Sequence, residues 1–299
     1  MGCNNERTID STKKKENAYP LCRFTTELPC EISSLYALDS KKVILGGKGQ
    51  LLIFDVETKE ITPISKSIKN RINCIIKLPD GRVISGGQDT KITIWDLEKK
   101  EILSTLEGHT SIIWDIKYLG NNQLISGADD NTSILWNLEK KTHEIFYQAK
   151  KNVSVICPLK NNNKILLAVG NNILLFDLLT KKQESFLEVT AWALTELKNG
   201  DVAAGLGKGL IYILQITDEI IVKTELPQGH KRTVNTIIEL DDGRLVSMAD
   251  ENDLILWDIK DPESVYMLKG HNDMTTGLCY VGGDKFVSVS RDNTLKIWE

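Results

Sequence analysis

Three histidines, His109, His230 and His271, each follow a glycine. Each is followed by a serine and then an acid at repeated distances: Ser126 and Asp130, Ser247 and Glu251, Ser288 and Asp292. Serine, imidazole and carboxylate are the ingredients of nucleophilic acyl transfer, in which the imidazole takes the serine proton and the acid orients the imidazole. Two features argue against that use. The set recurs, whereas a hydrolase needs it once, and no G-x-S-x-G elbow presents any of these serines for attack. Each set also ends on a tryptophan. Trp136, Trp257 and Trp298 lie 27 residues after their histidine, ten after their serine and six after their acid. Recurrence in register points to a structural role, and no catalytic residue is expected.

Other chemistry is scarce. The six cysteines, Cys3, Cys22, Cys30, Cys74, Cys157 and Cys279, form no C-x-x-C pair and stand at no zinc-ligand spacing from the four histidines. They are expected as free thiols, and no metal or other cofactor is expected. GKGQ (47–50) and GLGKG (205–209) lack the spacing of a phosphate loop and precede β-favouring runs instead of helices. The formal net charge of −4 argues against a broad nucleic-acid footprint, which needs clustered positive charge. There is no long apolar run and no apolar core of a secretory signal near the N-terminus, so a cytoplasmic protein is expected.

The elements that carry these residues repeat. Phe54, Trp95, Trp136, Phe176, Leu214, Trp257 and Trp298 are separated by 41, 41, 40, 38, 43 and 41 residues. A period near 40 over most of a chain marks a repeat architecture. Within it, ITIWD, LILWD and LKIWE read as short strands, and PDGR (79–82), KNGD (198–201) and DDGR (241–244) read as turns between strands. The best segments are SGGQDTKITIWD (85–96), SGADDNTSILWN (126–137), SMADENDLILWD (247–258) and SVSRDNTLKIWE (288–299). With the preceding Gly-His pairs, these segments resemble the WD-repeat family over residues 20–299.

The resemblance implies an all-β fold: a seven-bladed propeller of four-stranded antiparallel blades. It implies that histidine, serine, acid and tryptophan form a hydrogen-bonded chain inside a blade. Two sets match throughout, His109–Ser126–Asp130–Trp136 and His271–Ser288–Asp292–Trp298. The set His230–Ser247–Glu251–Trp257 departs by carrying a glutamate, and its geometry is expected to suffer. The second repeat has Ser85, Asp89 and Trp95, but Ile68 replaces the histidine. Repeats one, four and five keep the strand and lose the serine and acid. The last repeat supplies three strands, so residues 21–28 of the segment LCRFTTELP (21–29) are expected to pair beside the strand ending at Trp298 and remove an open edge.

In the family, residues three and five beyond the Gly-His histidine commonly face the mouth of the central channel. Those positions here are Ile112 and Trp114, Thr233 and Asn235, and Met274 and Thr276. Aligning LPDGR with LKNGD adds Arg71, Asn73, Thr190 and Trp192. Trp114 and Trp192 are the two tryptophans outside the Trp-Asp positions. Either they form a binding hot spot or they pack between inner strands. Asp129, Asp250 and Arg291 would add charge. The expected function is a non-catalytic scaffold that binds a peptide or helix of another protein on this face. The alternatives are a membrane-tethered signalling adaptor and a propeller hydrolase. The adaptor reading needs acylation of Gly2 or Cys3 in the polar tail, residues 1–19, expected to be disordered. Glu6 stands where the myristoylation pattern expects serine or threonine. Partner identity, pathway and oligomeric state are not encoded in any motif.

Overall fold

The β-favouring runs pair with their neighbours in sequence, as short turns between them require. A computed structural model describes residues 20–65, 68, 70–160, 163–261 and 264–299. It contains 28 strands in seven four-stranded antiparallel sheets. After β1 (Cys22–Glu27), the first blade comprises β2 (Ile32–Ala37), β3 (Lys42–Gly47), β4 (Leu51–Asp55) and β5 (Ile61–Ser65). The second comprises β6 (Ile72–Lys77), β7 (Val83–Gly87), β8 (Ile92–Asp96) and β9 (Glu101–Leu106). The third comprises β10 (Ile113–Gly120), β11 (Gln123–Ala128), β12 (Thr132–Asn137) and β13 (Thr142–Gln148), and the fourth β14 (Val153–Pro158), β15 (Lys164–Val169), β16 (Asn172–Asp177) and β17 (Gln183–Leu187). The fifth comprises β18 (Ala191–Glu196), β19 (Val202–Leu206), β20 (Ile211–Ile216) and β21 (Ile220–Glu225). The sixth comprises β22 (Val234–Glu239), β23 (Leu245–Ala249), β24 (Leu254–Trp257) and β25 (Val265–Leu268). The seventh contains β26 (Thr275–Gly282), β27 (Lys285–Ser290) and β28 (Thr294–Trp298), with β1 as its fourth strand.

Burial follows from stacking blade on blade. β7, β19 and β23 are buried at every residue, because both faces of a second strand are covered by neighbouring blades. Their sequences accordingly read as continuous apolar or small-residue runs. Outer strands such as β9 and β21 expose most of their residues. Glycine is required where blades approach closely. A Cβ on Gly127 would lie 2.7 Å from Val153 Cγ1 and 2.8 Å from the Val153 carbonyl oxygen. Any side chain there would push the third and fourth blades apart.

The ring closes as the sequence predicts. β1 runs antiparallel to β28, with Cys22 opposite Trp298 and Thr25 opposite Lys296. Leu21 and Glu299 exchange backbone hydrogen bonds of 2.8 and 3.1 Å. Phe24 of β1 stacks on Phe54 of the first blade at 6.3 Å, so the closing strand also packs across the seam. One apolar cluster joins Val43, Leu45 and Phe54 to Val287, Val289 and Ile297. The tail, residues 1–19, with the acylation sites Gly2 and Cys3, lies outside the described residues.

Candidate functional site

The hydrogen-bonded sets are buried and complete in two blades. In the third, the Trp136 indole N–H donates to Ser126 Oγ at 2.7 Å, Ser126 Oγ meets His109 Nε2 at 2.6 Å, and His109 Nδ1 meets Asp130 Oδ2 at 2.8 Å. The seventh repeats this through Trp298, Ser288, His271 and Asp292 at 2.8, 2.7 and 3.1 Å. An indole is a donor only, so the serine hydroxyl must donate onward to Nε2, which leaves Nδ1–H to donate to the carboxylate. The imidazole is then neutral. Burial holds His109 below its ordinary pKa and takes His271 down to about 4. The serine oxygen is engaged by two partners and closed to solvent. This is a structural chain with no free nucleophile.

A fifth member was missed from sequence. Thr132 Oγ1 donates to Asp130 Oδ1 at 2.6 Å and lies 3.2 Å from His109 Nδ1; Thr294 does the same with Asp292 at 2.6 Å and His271 at 3.1 Å. The signal was present as Asp-Asn-Thr in both segments. The middle residues, Asn131 and Asn293, have φ of 66° and 58°, a left-handed conformation that asparagine tolerates well. The preceding glycine also has a reason. A Cβ on Gly108 would sit 2.8 Å from the Trp136 ring, and one on Gly229 2.6 Å from the Trp257 ring.

The sixth blade breaks the chain where the sequence departs. Trp257 and His230 both reach Ser247, at 2.7 and 2.8 Å. The longer Glu251 overshoots: its carboxylate is 4.0 Å from His230 Nδ1 and instead accepts the Lys231 and Arg232 backbone N–H groups. His230 Nδ1 is buried without a hydrogen-bond partner. In the second blade, which has no histidine, Trp95 still donates to Ser85 at 2.8 Å.

The functional face lies at the start of the inner strands. First and second strands are antiparallel, so the loop entering each blade lies beside the turn leaving its second strand, as Ile113 lies opposite Ala128. Every inner strand slips register directly after its first residue. The skipped residues are Ser33, Asn73, Trp114, Ser154, Trp192, Asn235 and Thr276. A bulge re-aims the extra side chain. All seven line one central channel of about 1060 Å³.

The ring divides in two. On one side its members stitch blade to blade. Thr276 Oγ1 donates to the Ile32 carbonyl at 2.6 Å, Ser33 Oγ to that of Ile72 at 2.6 Å, and Asn73 Nδ2 to that of Ile113 at 3.0 Å. The stitching stops at Trp114, whose indole N–H donates to Asp129 in its own blade at 2.6 Å. Ser154 bonds the Ala168 carbonyl and Asn235 bonds Asp250, again within their own blades. Trp114 and Trp192 are 40% and 45% exposed, so each presents a large part of its surface to solvent.

The predicted residues therefore separate into two groups. Asn73, Trp114, Trp192 and Asn235 reach the channel, whereas Arg71, Ile112, Met274 and Arg291 are not among its lining. Ile112 and Met274 hold the turns through their carbonyls, which accept from the Asp129 and Arg291 backbone N–H groups at 2.9 Å each. The Arg71 carbonyl accepts from Gln88 N–H at 3.0 Å, and its Nε is buried without a partner. Arg291 Nε faces Glu31 at 3.7 Å. Ser33 and Ser154 were missed because repeats one and four lack the Gly-His marker that sets the register.

Little else offers chemistry. Burial pushes the Cys157 and Cys279 thiols up to about 12 and raises Cys74 as well, which keeps these three thiols protonated. Among the described residues no group of three His, Cys, Asp or Glu side chains is placed to hold a metal ion. Among the described residues no helix is long and apolar enough to cross a membrane.

A sequence model of the family described as "WD domain, G-beta repeat" matches residues 63–96, 100–137 and 262–299. Among curated proteins, small ribosomal subunit protein RACK1 of Drosophila melanogaster is 32% identical over 72 residues, 24% of this chain and 22% of that protein. WD repeat-containing protein 37 of Homo sapiens is 37% identical over 57 residues, 18% of this chain and 12% of that protein. The denticleless protein homolog of Danio rerio is 30% identical over 94 residues, 29% and 14% respectively. The matches thus span under a quarter of each relative. The crystal structure of the WD40 beta propeller domain of Doa1 superposes with a TM-score of 0.81 over 94% of this chain and 97% of that one, at 18% identity. At that identity the likeness shows the fold.

Proposed function

We propose that this chain, a member of the WD-repeat β-propeller family, acts as a non-catalytic scaffold that binds a segment of another protein at the channel mouth of its loop face. The observation that carries this reading is the pair of exposed tryptophans, Trp114 and Trp192, at equivalent bulge positions two blades apart. Leaving large aromatic area exposed to water is unfavourable unless a partner covers it, and tryptophan is among the residues that dominate interface energetics. The bulge residues on this side support the reading: among the described residues neither Ser154 nor Trp192 bonds to the next blade, so a ligand has no such bond to break.

Rigid display is the mechanism. The blades are locked by backbone ladders and buried indoles, so a partner meets a preformed surface and loses little to reorganisation. Family members are typically non-enzymatic scaffolds, and the buried neutral imidazoles fit that use here. A cytoplasmic location is part of the same proposal; the free thiols of Cys22, Cys30, Cys74, Cys157 and Cys279 fit a reducing compartment. The test is quantitative affinity capture with wild type and with Trp114→Ala/Trp192→Ala, after circular dichroism has confirmed equal folding. Partners retained by wild type and lost from the variant are expected. Equal capture by both would remove the tryptophan face from the function.

A further inference from the structure

The loops around Trp192 carry a cluster of exposed cations. Lys150 and Lys151 lie in the loop entering the fourth blade, Lys208 in the second turn of the fifth, and Lys231 and Arg232 in the loop entering the sixth. All five are exposed, and none forms an ion pair with a described residue. The Lys151 chain lies against the Gly170 backbone, and the 207–209 turn packs beside β22, so these cations flank the bulge residues of blades four to six. Four acids share the arc: Glu188, Asp250, Glu251 and Asp253. Asp250 accepts from Asn235 at 2.7 Å and Glu251 from two backbone N–H groups, while burial raises the Asp253 pKa, so the five cations exceed the acids by one. A local excess of cations stands out in a chain with a net charge of −4.

At the mouth itself, Ser154 occupies the bulge position between the two tryptophans. A small residue between two large aromatics at equivalent heights leaves a notch. We propose that this face takes an acidic peptide segment. One bulky apolar side chain seats between Trp114 and Trp192 over Ser154, and flanking carboxylates lie over Lys150, Lys151, Lys208, Lys231 and Arg232. This rests on the binding-face reading and adds the chemical class of the partner.

A single-stranded nucleic acid also pairs aromatic stacking with lysine. It fits less well. Asp129 and Asp250 sit on the mouth beside Trp114 and Asn235, where a phosphodiester backbone carries a charge at every step, whereas a peptide can space its charges away from them. A peptide also supplies an aliphatic or aromatic side chain that fills a notch floored by a serine.

The test is selection of random displayed peptides against the full chain, followed by fluorescence-anisotropy titration of the enriched sequences. The expected result is enrichment of Asp and Glu around one Leu, Phe or Trp. Binding should weaken at least about ten-fold in Trp192→Ala and in Lys150→Glu/Lys151→Glu/Lys208→Glu, and should fall with added salt. Binders that depend on the tryptophans but ignore charge reversal would overturn the acidic class and leave the face standing. Binders indifferent to both variants, or no binders at all, would overturn both readings. Tighter binding of a fluorescein-labelled oligothymidylate than of any selected peptide would assign the arc to nucleic acid and overturn the proposal.

Discussion

The misfit in the sixth blade can be repaired, and the gain follows from its geometry. Glu251→Asp combined with Asp253→Thr recreates the Asp-x-Thr arrangement of the third and seventh blades. At present His230 Nδ1 is a buried donor without an acceptor, 4.0 Å from the carboxylate that should receive it. Leaving a buried polar group unpaired costs about 1–3 kcal/mol. An aspartate still caps one backbone N–H, as Asp292 does for Asn272 at 2.8 Å, but gives up the second that Glu251 now accepts. The substitution at 253 also removes a carboxyl group whose pKa is raised by burial, with Glu251 adding to the rise. The net expectation is a stabilisation of about 1–2 kcal/mol, or about 2–4 °C in Tm for a domain of this size. Differential scanning calorimetry on the wild type and double variant measures it. The converse change, Asp292→Glu, should lower Tm by a similar amount. A double variant that melts at or below wild type, with unchanged far-UV circular dichroism, would refute the account of the unpaired imidazole.

Three further outcomes follow from the same contacts. Ser288→Ala removes the acceptor of Trp298 and the partner of His271 together, so it should cost about 2–4 kcal/mol in urea denaturation, whereas Ser85→Ala strands only Trp95 and should cost about 1–3 kcal/mol; equal losses would show that the imidazole link contributes nothing. His271 binds its proton more weakly folded, near 4, than unfolded, near 6.5, so the unfolded chain takes up more protons between those values. Stability is therefore full above about 6.5 and falls as pH drops toward 4, by about 3 kcal/mol from this residue alone, and a Tm that stays flat over that window would contradict it. A chain lacking residues 1–29 should lose cooperative thermal unfolding, because β1 supplies the seventh blade's fourth strand and the Phe24–Phe54 contact, while removal of 1–18 should leave Tm unchanged; cooperative melting of the shorter chain would argue that the ring is held without its seam.

Much of this molecule is legible along the chain because its repeats are local. A tryptophan ten residues after a serine can meet it across one hairpin, so Ser126–Trp136 and Ser288–Trp298 follow from spacing once strands are assigned. Closure follows from a three-stranded last repeat and an unused strand near the other end. Even the misfit at Glu251 could be anticipated, since one extra methylene moves a carboxylate by more than a hydrogen bond tolerates. The threonine of the third and seventh blades escaped because its bond appears only when the left-handed Asn131 and Asn293 fold the turn back on the imidazole.

The channel mouth was legible only in part: the family register placed Asn73, Trp114, Trp192, Asn235 and Thr276 there, but with them residues that do not line it. Arg71, Asn73, Ile112 and Trp114 are near neighbours in register, yet a bulge sends Asn73 and Trp114 into the channel and leaves Arg71 and Ile112 holding turns through their backbones. A bulge is a property of two paired strands, and no strand alone encodes it. The division of the ring is likewise tertiary. Ser33 and Ser154 are the same residue at the same position, and one bridges to the next blade while the other bonds within its own. The amino-acid order thus determined how many blades form, what locks each turn and how the circle is sealed, since those rest on contacts within about forty residues or on one unmatched edge. Which side chains face the opening, and which of them stay free for a partner, was decided by adjacent blades meeting in space.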